Sequence, residues 1–204
     1  MTSETSRIEA FSDGVFAIAI TLLIIEIHVP SREHAESLGH ELLRLWPSYL
    51  GYLTSFLTIG VMWINHHHVF DLIDRVDRTM LLLNTLLLMM IAFVPFPTAV
   101  LAQFIETDGA RAAAVLYGAT LTLTALNYFA WWRYASSGRR LIAAHVPDDV
   151  IADITRAYTP GILLYGGSAL VAFVEPWASA ALYLAIAAFY ALPLAQWRAA
   201  LMRA

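Results

Sequence analysis

The chain has 204 residues, of which 59% are hydrophobic and 14% charged, and its mean hydropathy is +0.64. A soluble domain of this size carries roughly a quarter of its residues charged, so this composition excludes a soluble enzyme and a disordered tail and assigns the chain to a lipid bilayer. The formal net charge is -4 and every basic residue is arginine, with no lysine at all, which excludes the concentrated basic face that a nucleic-acid partner requires. The absence of cysteine removes disulfides, thiolate metal sites and cysteine nucleophiles. The first ten residues are polar and include Glu4, Arg7 and Glu9. No small-residue cleavage site follows a short apolar run, so the first apolar segment is expected to remain in the mature protein.

A membrane-spanning helix needs about 20 apolar residues to cross about 30 Å of hydrocarbon. Charges divide the chain into six runs of that order, giving an all-α, polytopic membrane protein with one six-helix domain over residues 1–204. The first helix is expected over 11–29, and its uncharged run, Gly14 to Ile25, is the shortest of the six. The second, 45–70, is uncharged but holds His66, His67 and His68. In the third, 79–105, Pro95 and Pro97 predict a kink or an end near Phe93, with the last turns as a separate short helix. The fourth, 112–132, closes on a Trp131-Trp132-Arg133 cluster suited to the membrane interface. Residues 133–157 read as a cytoplasmic loop with a short surface helix. The fifth and sixth helices, 158–174 and 177–197, form a hairpin around Glu175 and Pro176, and Gly166 and Gly167 predict a close helix approach to the fifth.

Arginines between the runs fix orientation, because positive residues are retained in the cytoplasm. Nine fall on one side (Arg7, Arg75, Arg78, Arg133, Arg139, Arg140, Arg156, Arg198, Arg203) and three on the other (Arg32, Arg44, Arg111). Both termini are therefore expected in the cytoplasm, with the chain in the cell membrane.

Two readings of Asp13 stand open. Ser12 or Asp13 is the N-cap of the first helix, or Asp13 turns into the bundle and pairs with a neighbouring helix, as ionisable groups at membrane depth do. At about 100° per residue, Ile18, Leu22 and Ile25 lie within roughly 60° of one another, and Asp13 is about 140° from Ile18. One face of the helix is thus wholly aliphatic, and the opposite face begins with the carboxylate.

The string from Arg7 to Asp13, with Phe11-Ser12-Asp13 followed by Gly14-Val15-Phe16-Ala17-Ile18-Ala19-Ile20-Thr21-Leu22, closely resembles the first-helix signature of bacterial members of the transmembrane protein 175 family of potassium channels. Trp63, Asn65, His66 and His67 resemble the Trp and His pattern of that family's second helix. The resemblance implies a homotetramer of six-helix subunits with the pore lined by the first helix. It implies a hydrophobic constriction at Ile18, Leu22 and Ile25, a selectivity-associated threonine at Thr21, and a hydrogen-bond network of Arg7, Ser12 and Asp13 with Trp63 and His66 or His67. The implied permeant species are K+ and other monovalent cations, with no cofactor; the remaining partners are lipid and the chain itself.

Glu26 sits about 80° from Ile18, either as a pore-mouth charge that concentrates cations or as a solvated helix-end group. Three successive histidines fan over about 200° and cannot converge on one ion, and His67 with Asp71 supplies too few ligands, so no metal site is expected. Asp71, Asp74, Arg75, Asp77 and Arg78 read as a solvated turn, and Asn84 and Asn127 as interhelical hydrogen-bond groups. No nucleophile motif, phosphate loop or dinucleotide fingerprint is present, so the chain is not read as an enzyme. The competing readings are a proton-permeable or coupled cation transporter, which usually needs ionisable groups at the midplane, and a non-transporting structural membrane protein.

Overall fold

A computed structural model describes residues 3–30 and 37–192. Arg32, Arg198 and Arg203, the end of the sixth expected helix at Trp197 and both chain termini lie outside the described residues. The described elements are helical: α1 Ser3–Leu22, a 3-10 turn Leu23–Glu26, α2 Leu38–Arg44, α3 Trp46–Leu72, α4 Arg78–Phe93, α5 Pro95–Phe104, α6 Ala110–Ser136, a 3-10 turn Ser137–Arg139, α7 Asp148–Val171 and α8 Pro176–Ala191. Among the described residues, Thr5–Glu26, Arg78–Phe104 and Ala110–Arg139 are each long and apolar enough to cross a membrane.

The first helix begins well before residue 11, because its polar opening is not a solvated tail. Thr5 and Ser12 are fully buried, and Ser12 Oγ donates to the carbonyl of Ile8, 2.9 Å away. Ser12 and Asp13 therefore stand in mid-helix, which excludes the cap reading. The prolines act as expected on α4: it ends at Phe93, and Pro95 opens α5 at a position where its missing N–H costs no helical bond. Asp77 caps α4 by accepting from the Met80 N–H at 2.8 Å.

Helix α6 runs through the centre of the helix bundle and packs on α4, α5, α7 and α8. It continues past Trp132 to Ser136 because Trp131 and Trp132 are fully buried rather than interfacial. Trp132 Nε1 donates to Thr155 Oγ1 of α7 at 2.9 Å, an internal tie that corrects the interface reading. Helix α7 likewise starts at Asp148, not near 158, since Val150, Ile151 and Ile154 pack on the core while Asp148 and Asp149 favour the positive end of the helix dipole. The polar loop thus shrinks from 133–157 to 137–147.

The close helix approach also falls elsewhere than expected. A Cβ on Gly166 would sit 3.7 Å from Thr122 and one on Gly167 would meet nothing within 4 Å, whereas one on Gly118 of α6 would lie 1.9 Å from Tyr183 Oη and 2.8 Å from Ala169 Cβ. Gly118 is the residue that admits α7 and α8. Inside the bundle, Ser55 Oγ lies 2.7 Å from Thr98 Oγ1 and 2.9 Å from Tyr117 Oη, tying α3, α5 and α6 by polar contacts.

The segments after α3 and after α6 meet at one end of the bundle. Ile73 and Ile142 form an isolated antiparallel bridge, Ala143 N donates to Leu72 O at 2.9 Å, and Arg75 Nη2 donates to Arg140 O at 3.0 Å. Arg7 and Arg78 line a groove at that same end, whereas Glu26, Arg44 and Glu106 line a concavity at the other.

Candidate functional site

Helix α1 and the 3-10 turn Leu23–Glu26 that continues it have two contrasting faces, and packing explains the division. Ser12, Phe16, Ala19 and Leu23 are buried against α3, α4 and α5, and their spacing of three and four residues is that of one helical stripe. The other face keeps its aliphatic side chains free: Ile18 is 61% exposed, Leu22 40% and Ile25 65%. Thr21, on that exposed side, donates its hydroxyl back to the carbonyls of Ala17 and Ile18 at 3.0 and 2.9 Å. Its lone pairs are therefore left facing outward.

Two polar ties hold α1 in this rotation. In the first, Asn84 Nδ2 of α4 donates to Ser12 Oγ at 3.0 Å, which leaves Asn84 Oδ1 to accept from His66 Nε2 at 2.9 Å. The direction of every bond follows: His66 to Asn84, Asn84 to Ser12, and Ser12 to the Ile8 carbonyl. The His66 ring is fully buried, stacked on Trp131 at a centroid distance of 5.0 Å and flanked by Phe16 and Phe70. This polar chain is sealed in aromatic carbon, where an unmade hydrogen bond is costly.

The second tie is half exposed. Trp63 Nε1 of α3 donates to Asp13 Oδ1 at 2.9 Å, and Trp63 stacks on His67. His67 Nδ1 lies 2.8 Å from Glu9 Oε1, without the alignment of a hydrogen bond. The two histidines thus have different partners: His66 reaches Ser12 through Asn84, and His67 meets Glu9.

Several residues fall outside the sequence reading of the motif. Arg7 is exposed and lines a groove with Phe11, Asp77 and Arg78; it makes none of the bonds of either tie. Asn84 is the hinge of the buried network, although its sequence context marked it only as an interhelical group. Asn127 makes no side-chain hydrogen bond to any described residue. Glu9 was missed, yet a signal existed: Glu9 and Asp13 are four apart on α1, as Trp63 and His67 are on α3, so the two pairs match in register. At the far end, Glu26 is half-buried and its carbonyl lies 3.0 Å from His28 Nδ1.

The helices and this site define an α-helical membrane protein that presents an aliphatic helix face with no partner among the described residues. Residues 7–95, which carry α1, α3, α4 and both polar ties, match the family described as the endosomal/lysosomal potassium channel TMEM175. A potassium channel of Chamaesiphon minutus is 45% identical over 93% of this chain and 95% of its own length, and one of Streptomyces collinus is 50% identical over 67% of each chain. The fold agrees with the crystal structure of a lysosomal potassium-selective channel TMEM175 homolog from Chamaesiphon minutus, at a TM-score of 0.86 and 43% identity over 93% of this chain and 97% of that one. The chain belongs to the TMEM175 family.

Proposed function

We propose that the chain is one subunit of a potassium channel in the cell membrane, conducting passively through a hydrophobic constriction that α1 of four copies encloses. One observation carries the reading: α1 is fixed by buried polar bonds on one side, and on the other it leaves Ile18 and Leu22 uncovered, with Ile25 of the 3-10 turn that continues it, in a chain about half identical to relatives named potassium channels. The six spans are α1, α3, α4 continued by α5, α6, α7 and α8. The gathering of Arg7, Arg75, Arg78, Arg139 and Arg140 at one end supports placing that end, with both termini, in the cytoplasm.

Four converging isoleucine or leucine side chains exclude water when close, and a small radial expansion rewets the path. Thr21 lies between Ile18 and Leu22 with its hydroxyl proton already committed to the backbone, so its oxygen is available to a partly dehydrated cation. K+ and other monovalent cations are the permeant species in this scheme. Glu26 stands at the pore mouth and raises the local cation concentration at low salt.

Purified protein reconstituted in liposomes under a potassium gradient, with dye-reported flux and valinomycin as reference, tests the reading. Ile18→Asn is expected to raise flux severalfold by wetting the constriction, and Glu26→Gln to lower it at low ionic strength only. Absence of flux from both the wild type and Ile18→Asn would overturn the channel assignment, and a mass other than four copies would overturn the tetramer.

A further inference from the structure

The corner where α6 meets α7 holds a concavity of about 510 Å³ that the conduction path does not use. Arg133, Ser136, Arg139, Asp148, Thr155 and Arg156 line it, and their states differ in an informative way. Arg139 is committed: it pairs with Asp148 and donates to the carbonyls of Ala143, Ala144 and Val146. It neutralises the one acidic lining residue and braces the loop. Arg133 is exposed and makes no hydrogen bond or ion pair with any described residue. Among the described residues, Arg156 pairs with Asp153 alone, three residues back and 3.0 Å away, with both side chains exposed; such a pair contributes little and is readily exchanged.

Among the lining residues, Ser136 is the anomalous group. It is 5% exposed, and its Oγ is buried without a hydrogen-bond partner. Other helical hydroxyls in this chain, among them Ser12, Thr58, Thr124 and Ser168, bond the carbonyl one turn back. Leaving a buried hydroxyl unmatched is costly, so such a group calls for a partner. Ser136 lies three residues after Arg133, hence on the same face of α6. The Trp132 to Thr155 bond clamps α7, and with it Arg156, opposite.

We propose that this corner binds a phosphate group at the membrane boundary, with Arg133 and Arg156 supplying the charge and Ser136, its hydroxyl turned outward about χ1, the hydrogen bond. Guanidinium forks match phosphate oxygens in pairs, which a solvated orientation charge has no need to do. Depth fits a phospholipid headgroup: α6, Ala110–Ser136, has 27 residues, about 40 Å of helix at about 1.5 Å per residue, against about 30 Å of hydrocarbon. The last turns of α6 thus reach headgroup level, where either an anionic phospholipid or free phosphate supplies the same chemistry.

The test measures retention of phosphatidylglycerol and of phosphatidylcholine on the full-length protein by native mass spectrometry, with inorganic phosphate as competitor. Arg133→Gln is expected to weaken phosphatidylglycerol binding about tenfold, equivalent to about 1.4 kcal/mol. Ser136→Ala is expected to weaken it about threefold while leaving thermal stability equal or higher, because the variant removes an orphaned polar atom. Phosphatidylcholine retention should not change in either. Competition by millimolar inorganic phosphate assigns the site to soluble phosphate as well, and failure of phosphate to compete assigns it to lipid. The proposal is overturned if Arg78→Gln, which removes a charge at the same end, weakens binding as much as Arg133→Gln. Unchanged binding in Ser136→Ala, or no Arg133-dependent binding of either phosphate source, overturns it equally.

Discussion

Replacing Asn84 by Leu tests whether the buried chain from His66 to Ser12 holds α1 in register. The substitution keeps the branching and the number of side-chain heavy atoms but removes two hydrogen bonds, at 2.9 Å to His66 and 3.0 Å to Ser12. The two ends do not suffer equally. Ser12 still donates to the Ile8 carbonyl at 2.9 Å and loses only an accepted bond. His66 Nε2 loses its partner inside a shell of Phe16, Phe70 and Trp131. An orphaned buried donor costs about 1–3 kcal/mol in water-soluble proteins, and side-chain pairs between membrane helices average about 0.6 kcal/mol with a maximum near 1.7. The expected loss for Asn84→Leu is therefore about 1–2 kcal/mol. His66→Phe should preserve the stacking on Trp131 while leaving Asn84 Oδ1 unpaired. The double variant should recover about 1 kcal/mol relative to the sum of the two single losses, because neither orphan remains. Reversible unfolding in mixed micelles with increasing dodecyl sulfate measures all four proteins, and fluorescence of the buried tryptophans reports the transition. Additivity within about 0.3 kcal/mol would refute the network as an energetic unit. Unaltered flux in the folded Asn84→Leu protein would refute its role in aiming the pore face.

Gly118→Ala should destabilise by about 1–3 kcal/mol, since its Cβ would stand 1.9 Å from the buried Tyr183 hydroxyl and 2.8 Å from Ala169 Cβ; adding Tyr183→Phe should recover part of this, and the same micelle unfolding assay measures both. Asp77→Ala should cost about 1 kcal/mol through loss of the α4 cap. The Met80 N–H, together with the Tyr134 hydroxyl at 2.7 Å, holds the Asp77 carboxyl below the usual carboxylate range. Its folded value being depressed, this stabilisation is present above about pH 4, the unfolded value, and is lost as pH falls through the folded value. Stability followed from pH 6 to pH 3 should accordingly decline less steeply for Asp77→Asn than for the wild type, and equal slopes would refute the assignment.

The sequence alone determined the properties that depend on composition and local pattern. Low charge and long apolar runs require lipid, because no folded arrangement of these residues could cover itself in polar groups. Pro95 set the end of α4 and the start of α5, since its effect acts within one turn, whereas Asp77, read in the sequence only as part of a solvated turn, proves in the structure to be the cap of α4. The aliphatic face of α1 was legible from residue spacing, because a helix converts sequence period directly into a face. Tertiary structure decided which neighbours those faces meet. No local signal says that His66 takes Asn84, or that Arg7 stays outside both ties, since adjacent helical residues point about 100° apart and the partners lie on other helices. Trp131 and Trp132 have the composition of an interfacial belt, yet packing of α7 buries them, and that burial carries α6 on to Ser136. The close helix approach falls at Gly118 and not at Gly166 or Gly167 because it depends on where Tyr183 of α8 projects, a matter of packing across the bundle that spacing along one chain does not encode.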